Sequence, residues 1–265
     1  MRATCCCRNA SPTTSRITGI GSRFCTSWAN ANEAYEAATA SFVTALLDDS
    51  QPNAFLDDFR TAAEVVTWIG YLNSLSMAAV KFTSPGVPDT YQGNETWDFS
   101  LVDPDNRRPV DYARRDRMLE EIERLGDAPG DRVRAIFANL DDGRAKLLVI
   151  RRLLRLRAEH EALFRNGGYH PVRTAGLRAR HLIAFARRLE GAACITVAPR
   201  LIAGLGIRPR ELPCGEIWGD TRVELPFVAD GTGLVDAITG TAHRVENGGI
   251  RVAQLLGAAS VAVLT

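Results

Sequence analysis

The 265-residue chain lacks several features that would assign it to a familiar class of protein. It contains no uninterrupted apolar run of roughly 18 residues, which argues against a membrane-spanning helix. Lysine and arginine total 32 against 31 aspartate and glutamate, and the net charge of +1 creates no field that would attract nucleic acid or an anionic membrane. Nucleic acid and membranes are therefore excluded as expected partners, whereas a neutral polymer fits this balance.

Cysteine is scarce in most of the chain. Only two of the six cysteines, Cys194 and Cys214, lie beyond the first 25 residues. Two isolated cysteines do not make the disulfide framework of a secreted domain, and no pair of CxxC units indicates zinc. We therefore expect a reducing, cytoplasmic location. The four histidines lack HxxxH or HExxH spacing and are interpreted as structural residues.

Motifs for metals and cofactors are also missing. The run that starts at Asp103 resembles the beginning of a calcium loop, but its twelfth position is Arg114 rather than the required glutamate. The chain contains neither a glycine-rich phosphate loop nor a GxSxG elbow. We therefore expect no metal and no cofactor.

What the chain does contain is a long polar segment, SPGVPDTYQGNETWDFSLVDPDNRR, at residues 84–108. It follows an apolar helical pattern, and the short run from Val87 to Gln92 predicts a brief strand that enters a loop. The loop combines aromatic rings with carboxylate, amide and guanidinium groups. Sugar recognition needs flat apolar faces together with planar groups that hydrogen-bond vicinal hydroxyls, so this composition indicates a carbohydrate pocket.

The same segment carries a family resemblance. Residues 84–115, SPGVPDTYQGNETWDFSLVDPDNRRPVDYARR, resemble the late-barrel segment of the maltooligosyltrehalose synthases, which are members of the alpha-amylase superfamily. The pattern PG-P-YQG-E indicates the superfamily, while LVDPDNRRPVDY is much more specific to the synthases. The resemblance continues through TSWANANEAYEAATASFV before this segment and GGYHPV, HLIAFARR, VAPRL, IWGDTRVELP and ITG after it, and so covers about Thr26 to Thr265.

The resemblance implies an α+β fold in three parts. Residues 1–25 lie outside it and are expected to be a disordered leader, interpreted as sequence read in another frame rather than as a transit peptide. Residues 26–165 are expected to be the helical end of a (β/α)8 catalytic barrel, with its last strand and loop. Residues 166–265 are expected to form an antiparallel β-sandwich.

Apolar periodicity predicts individual elements within these parts. The predicted helices run from Asn30 to Asp49, from Phe55 to Phe82, from Arg114 to Leu125 and from Arg144 to Phe164. The last of these carries a predicted apolar stripe of Leu147, Ile150, Leu154 and Ala158. The β-like runs are His181–Arg187, Cys194–Pro199, Thr221–Leu225, Val235–Thr239, Ile250–Leu256 and Val261–Leu264.

A barrel closes only with eight strands, and the resemblance assigns Val87–Gln92 to the eighth. A lone parallel strand has two unpaired edges, so we expect a loose helical assembly in the first half. Retaining glycosyl transfer needs a carboxylate nucleophile and a carboxylic acid roughly 5 Å apart. The resemblance places these acids and a third, helper carboxylate on segments ahead of this chain, so no catalytic residue is assigned here.

What the resemblance leaves in the chain is one wall of a sugar pocket, with Arg107 aligned to the superfamily arginine near a bound glucose. The predicted substrate-binding residues are Tyr91, Gln92, Glu95, Asp103, Asp105 and Arg107. The alternative is that Asp103, Asp105 and the arginines form a salt-bridged scaffold, and that Tyr91 and Trp97 serve packing.

The resemblance implies the carboxy-terminal part of a synthase that converts the reducing-end α-1,4 linkage of maltodextrins into an α,α-1,1 linkage. The expected ligand is a malto-oligosaccharide or glucan, and a separate amino-terminal barrel polypeptide is a possible partner chain. The alternative is a non-catalytic glucan-binding or complementing module. A different amylase-type hydrolase is disfavoured by the run VDPDNRRPVDY.

Overall fold

A computed structural model of the chain describes residues 25–27, 29–100, 105–124 and 130–265, with only the backbone of Asp105 and Asp131. The prediction of a leader over residues 1–25 falls almost entirely outside this range. The chain divides into two compact units. The smaller unit comprises the described part of Met1–Glu64 together with Asp98–Val110, and the larger unit comprises Val65–Trp97 together with Asp111–Thr265.

The smaller unit contains helix α1 (Glu33–Leu46), which confirms the first predicted helix. Its N-cap is Asn32, whose side chain accepts a hydrogen bond from the backbone N–H of Tyr35 at 3.1 Å. Glu33 and Glu36 lie in the first turn, where carboxylates interact favourably with the helix dipole. No side chain of α1 is buried, so capping and local hydrogen bonds are the identified contributions to its formation.

Helix α2 (Ala54–Thr83) starts in the smaller unit and ends in the larger one, and it confirms the second predicted helix. The larger unit adds four more helices before its first strand. They are α3 (Tyr112–Glu123), α4 (Asp131–Ala138), α5 (Arg144–Glu159) and α6 (Glu161–Asn166). Helix α3 confirms a prediction, whereas α4 had no counterpart among the predicted elements. No helix in the described ranges is long and apolar enough to cross a membrane.

The prediction of one helix from Arg144 to Phe164 was wrong in two respects. His160, with φ −119° and ψ 40°, leaves the helical conformation and separates α5 from α6. The predicted stripe is also shifted, because Leu147 and Ile150 are buried while Leu154 is 46% exposed. Leu153 and Leu156 are buried instead, since their side chains point towards the shared core.

The predicted strand from Val87 to Gln92 is absent, because residues 87–91 have no regular secondary structure and Gln92 begins a turn. A strand needs a neighbour to satisfy its backbone N–H and C=O groups. The described residues offer none to this segment, and the side chain of Val87 is 95% exposed. The sequence pattern alone therefore did not produce a strand here.

Nine strands follow in the larger unit, and all their pairings are antiparallel. One sheet has the order β1-β3-β4-β9, a second has β2-β5-β8, and a third consists of β6 and β7. The strands are β1 (Gly168–Pro171), β2 (Thr174–Ala175), β3 (Leu182–Leu189), β4 (Ala192–Pro199), β5 (Arg222–Glu224), β6 (Gly233–Val235), β7 (Ala242–Arg244), β8 (Gly249–Arg251) and β9 (Ala262–Leu264).

Four of the six predicted β-like runs are confirmed with slightly shifted ends, as β3, β4, β5 and β9. The run Val235–Thr239 was wrong beyond its first residue, because β6 ends at Val235 and a turn follows. The run Ile250–Leu256 was wrong in its second half, where helix α7 (Val252–Leu255) follows β8. The α+β class is confirmed as a mixture of helices and antiparallel sheets.

Strand β4 lies between two hydrophobic clusters of the larger unit. Its residues Cys194 and Ala198 join a cluster formed mainly by α2, α4 and α5. Its residues Ile195 and Val197 face the second cluster, which includes Trp218, Val223 and Ile250. The helices of the larger unit are therefore closely packed rather than loosely assembled, because one face of the sheet covers them.

Asp236 ties the carboxyl end of β6 to β9 inside the core. Its carboxylate is fully buried and accepts hydrogen bonds from the backbone N–H of Ile238 (3.0 Å) and Val263 (2.9 Å) and from the hydroxyl of Thr239 (2.6 Å). Burial raises the pKa of Asp236 above its ordinary value, and these hydrogen bonds act in the opposite direction. The side chain organises the turn between β6 and β7.

We expect Asp236→Ala to lower the free energy of unfolding by about 3 kcal/mol, because it leaves three buried donors without their acceptor. Urea denaturation followed by circular dichroism measures the change. The matched control is Asp230→Ala, which removes an exposed carboxylate that accepts a hydrogen bond from the backbone N–H of Gly248 at 2.7 Å. Equal losses of stability in the two variants would contradict this account of Asp236.

Candidate functional site

The polar segment predicted to bind sugar begins with a tight turn in the larger unit. The backbone N–H of Asn94 donates to the carbonyl of Tyr91 at 3.1 Å, which closes the turn Tyr91–Asn94. Gly93 has φ +90° at its third position, a conformation that favours glycine over other residues. The turn presents the side chains of Tyr91 and Gln92, both of which are exposed.

Arg115 of helix α3 holds the loop after this turn. Its Nε donates to Glu95 Oε2 at 3.1 Å, and its Nη2 donates to the carbonyl of Gly93 at 2.8 Å and to Thr96 Oγ1 at 3.2 Å. Its Nη1 donates to the carbonyl of Asp111 at 3.1 Å. The side chains of Arg115 and Glu95 are 15% and 26% exposed, so this ion pair is more shielded than an ordinary surface pair.

Trp97 anchors the end of the loop in the core. Its ring stacks on Tyr71 of α2 with centroids 4.6 Å apart, and its Nε1–H donates to the carbonyl of Leu140. Lys146 of α5 lies 5.7 Å from the ring centroid and donates to the carbonyl of Thr96 at 3.0 Å. Trp97 thus has the packing role that the sequence analysis weighed as an alternative to stacking on sugar.

Gly143 is required for this close approach. It has φ +84°, and a Cβ atom added there would lie 3.1 Å from Cβ of Thr96. The start of α5 therefore packs directly against the loop because residue 143 has no side chain.

Three predicted site residues are therefore neighbours in one loop with different roles. Tyr91 is 45% exposed and Gln92 is also exposed, so a phenol and an amide are available to an external ligand. The carboxylate of Glu95 already accepts a hydrogen bond from Arg115. Glu95 thus corresponds in part to the scaffold alternative, and a sugar hydroxyl would have to share this carboxylate with the guanidinium.

The remaining predicted residues belong to the smaller unit. Asp105 and Arg107 lie in a short 3-10 helix, Asp105–Arg107, in which Arg107 is exposed. Asp103 lies outside the described residues. Nearby, Asp98 Oδ1 accepts hydrogen bonds from the backbone N–H and the hydroxyl of Ser100, and Arg108 donates to the same hydroxyl at 3.3 Å.

The two buried cysteines of the larger unit do not offer a reactive thiolate. Cys25, Cys194 and Cys214 are all free of disulfide bonds. Burial raises the pKa of the Cys194 thiol to about 12 and that of the Cys214 thiol to about 12. Both thiols therefore stay protonated at neutral pH, and nucleophilic chemistry is not available to them. The described residues also contain no group of three or more side chains arranged to hold a metal ion.

The sequence analysis did not identify the two cations that support the loop. Arg115 lies within the run that carries the family resemblance, but nothing in its spacing distinguishes it from Arg114 or Arg117. Lys146 lies in a different predicted helix altogether. Their roles depend on how α3 and α5 approach the loop in three dimensions.

Comparisons with known proteins found curated relatives and solved structures that resemble this chain. No family model matches the chain. Two curated relatives, from two strains of Mycobacterium tuberculosis, are 37% identical over 168 residues, which is 61% of this chain and 18% of theirs. Both are provisionally named maltooligosyl trehalose synthase.

Solved structures carry the same name. The maltooligosyltrehalose synthase of Arthrobacter ramosus matches 97% of this chain at 33% identity with a TM-score of 0.76, and the match covers 30% of that protein. A hypothetical maltooligosyl trehalose synthase of Sulfolobus tokodaii matches 95% of the chain with a TM-score of 0.64, and at 24% identity it shows the fold alone.

The chain is related in sequence and in fold to the maltooligosyltrehalose synthases, which confirms the resemblance found in the sequence. It spans 18% of the length of its curated relatives and 30% of the Arthrobacter ramosus protein.

We expect Arg115→Met to lower the free energy of unfolding by about 2 kcal/mol, because a half-buried charged network loses its donor. Amide hydrogen exchange over residues 93–97 should become faster, as measured by mass spectrometry. The control Arg124→Met removes an exposed pair with Glu120, whose two side chains are 73% and 62% exposed, and should leave this segment unchanged. Unaltered exchange in Arg115→Met would contradict its role in holding the loop.

Proposed function

We propose that this chain is the carboxy-terminal part of a maltooligosyltrehalose synthase. The activity of the whole protein is the conversion of the reducing-end α-1,4 linkage of maltodextrins into an α,α-1,1 linkage, an isomerisation in trehalose biosynthesis. The observation that carries the proposal is the match of 97% of this chain to the Arthrobacter ramosus synthase at 33% identity and a TM-score of 0.76.

The proposal extends to the finer architecture. Residues 26–165 correspond to the helical end of the catalytic barrel, and residues 166–265 correspond to its β-sandwich. The two-sided burial of β4 supports this division, because one face of the strand meets the helices and the other meets the remaining sheets. The segment 87–91 corresponds to the eighth barrel strand, which forms only when neighbouring strands are present.

The chemical contribution of this chain is to bind sugar rather than to transfer it. The nucleophile and the acid that retaining transfer requires are supplied by segments that correspond to earlier barrel strands. In this chain, Tyr91 and Gln92 offer a ring and an amide, while Arg115 fixes the loop that carries them. The family resemblance also makes Asp103, Asp105 and Arg107 proposed sugar-binding residues, with Arg107 aligned to the superfamily arginine near a bound glucose.

Two further parts of the proposal follow from the same correspondence. The partner is a polypeptide that supplies the earlier barrel strands, either joined to this chain or separate from it. The compartment is the cytoplasm, which is supported by the three described cysteines being free of disulfide bonds.

The purified chain should release no trehalose-ended product from maltohexaose, because it lacks the transferring carboxylates. A chimera in which this chain replaces the matched 30% of the Arthrobacter ramosus synthase should form that product. The measurement is the loss of reducing ends, since an α,α-1,1 linkage has none. The control is the Arthrobacter ramosus protein with the matched part deleted. Product from the chain by itself, or none from a folded chimera, would contradict the proposal.

A second candidate function is a non-catalytic glucan-binding or complementing module, favoured by the 45% exposure of Tyr91 beside exposed Gln92. We expect such a module to be retained on an amylose matrix and eluted by free maltose. The variant Arg107→Ala should elute earlier if the polar loop carries the binding, and Arg60→Ala, an exposed arginine of the smaller unit outside the loop, serves as the control. No retention of the unmodified chain would remove this candidate.

A further inference from the structure

The larger unit has a groove that lies outside the polar loop of residues 84–108. It has a volume of about 540 Å³, within the range of pockets that hold small molecules. Helices α3 and α5 form one wall of the groove, and the end of β6 with the turn after it forms another. The chain segments 86–97 and 105–107 contribute nothing to its lining.

The helical wall carries a row of charged side chains. Arg151, Arg155 and Glu159 follow one another at intervals of four residues, so they lie along one face of α5. Arg151 Nη2 lies 2.7 Å from Glu123 Oε1, and Arg155 Nε lies 2.7 Å from Glu159 Oε1. Next to this row, Arg152 donates to the carbonyl of Ile238.

The two ion pairs are exposed to solvent. The side chains are 35% and 57% exposed in the pair of Arg151 with Glu123, and 60% and 51% exposed in the pair of Arg155 with Glu159. Exposed pairs of this kind contribute little to stability. Guanidinium and carboxylate groups have several donor or acceptor positions, so a ligand in the groove can hydrogen-bond them by sharing these positions with the ion pairs.

The charges of the row are balanced. Each of these arginines has a carboxylate partner, so an anionic ligand would have to compete with Glu123 and Glu159. A neutral ligand also shares these guanidinium and carboxylate groups with their partners, but it adds no net charge to the balanced row. Alternating guanidinium donors and carboxylate acceptors match vicinal hydroxyl groups, which donate and accept at once.

The groove also has apolar lining residues beside polar ones such as His160 and Thr265. Ile122 and Leu156 line it, and both are largely buried. Val235, which is 48% exposed, and Ala237 line the opposite wall. A ligand with a hydroxylated edge and an apolar face fits this division, and the pyranose ring of a sugar has both.

We propose that this groove is a second binding site for a short malto-oligosaccharide, separate from the polar loop. Arg151, Arg155, Glu123 and Glu159 bind the sugar hydroxyls, while Ile122 and Val235 contact the ring face. The choice of a glucan as ligand rests on the proposed function, whereas the preference for a neutral, hydroxyl-rich molecule rests on the groove itself.

The test is a titration of the ¹⁵N-labelled full chain with maltotriose, followed by amide chemical shifts. We expect concentration-dependent shifts at residues 151–160 and 235–240. Shifts confined to residues 86–108, or no shifts at millimolar maltotriose, would overturn the proposal. Inorganic phosphate is titrated in parallel, and a response of the groove to phosphate but not to maltotriose would identify an anion site and overturn it as well.

The double variant Arg151→Ala with Arg155→Ala should bind maltotriose at least about tenfold more weakly, because two charged hydrogen-bonding partners are lost. The matched control combines Arg165→Ala with Arg208→Ala, which breaks two exposed ion pairs away from this groove and should leave the affinity unchanged. Thermal unfolding verifies that both double variants fold. An unaltered affinity for maltotriose in a folded Arg151/Arg155 variant would contradict the proposal that the groove binds sugar.

These outcomes are separable from the proposed function. If the groove does not bind maltotriose, the prediction that the chimera forms trehalose-ended product still stands. Conversely, an inactive chimera together with maltotriose shifts at residues 151–160 would retain the groove and reject the synthase assignment.

Discussion

The burial of strand β4 on both faces is the constraint on which the larger unit depends. Residues Cys194 to Ala198 are fully buried, and successive side chains point alternately to the helices and to the smaller sheets. Because one strand serves two clusters, neither half of the unit has a complete core without the other. A hydrogen bond of 2.7 Å between Thr196 and Thr83 places the end of α2 on this strand and sets where the polar loop begins.

The loop itself has little regular structure, and its shape is determined by its supports. Arg115 satisfies the carbonyl of Gly93 and the carboxylate of Glu95, while Trp97 is fixed by Tyr71 and Lys146. These contacts use the loop's own polar groups for its conformation. The side chains that stay available to a ligand are therefore those on the outer side of the turn, Tyr91 and Gln92.

The two proposed sugar sites differ in how charge is used. In the polar loop, the Arg115–Glu95 pair is shielded and serves the backbone geometry. In the groove, the Arg151–Glu123 and Arg155–Glu159 pairs are exposed, and their stabilising effect is small. The same residue types thus hold a loop where solvent is excluded and provide a recognition surface where solvent is present. Under these proposals, a chain that matches only 30% of a longer synthase has two places for a glucan to bind.

The sequence by itself determined local structure and the relationship to a protein family. The helical patterns of α1 and α2, the run of β4 and the motif LVDPDNRRPVDY were all readable, because each depends on neighbouring residues. What only the tertiary structure decided was which groups meet across the chain. The predicted strand Val87–Gln92 finds no partner strand among the described residues. The side chain of Arg187 is 1% exposed, and its guanidinium donates to the carbonyls of Phe164 and Gly167 at the end of α6. Such contacts join residues far apart in the sequence, and no local pattern encodes the distance between them.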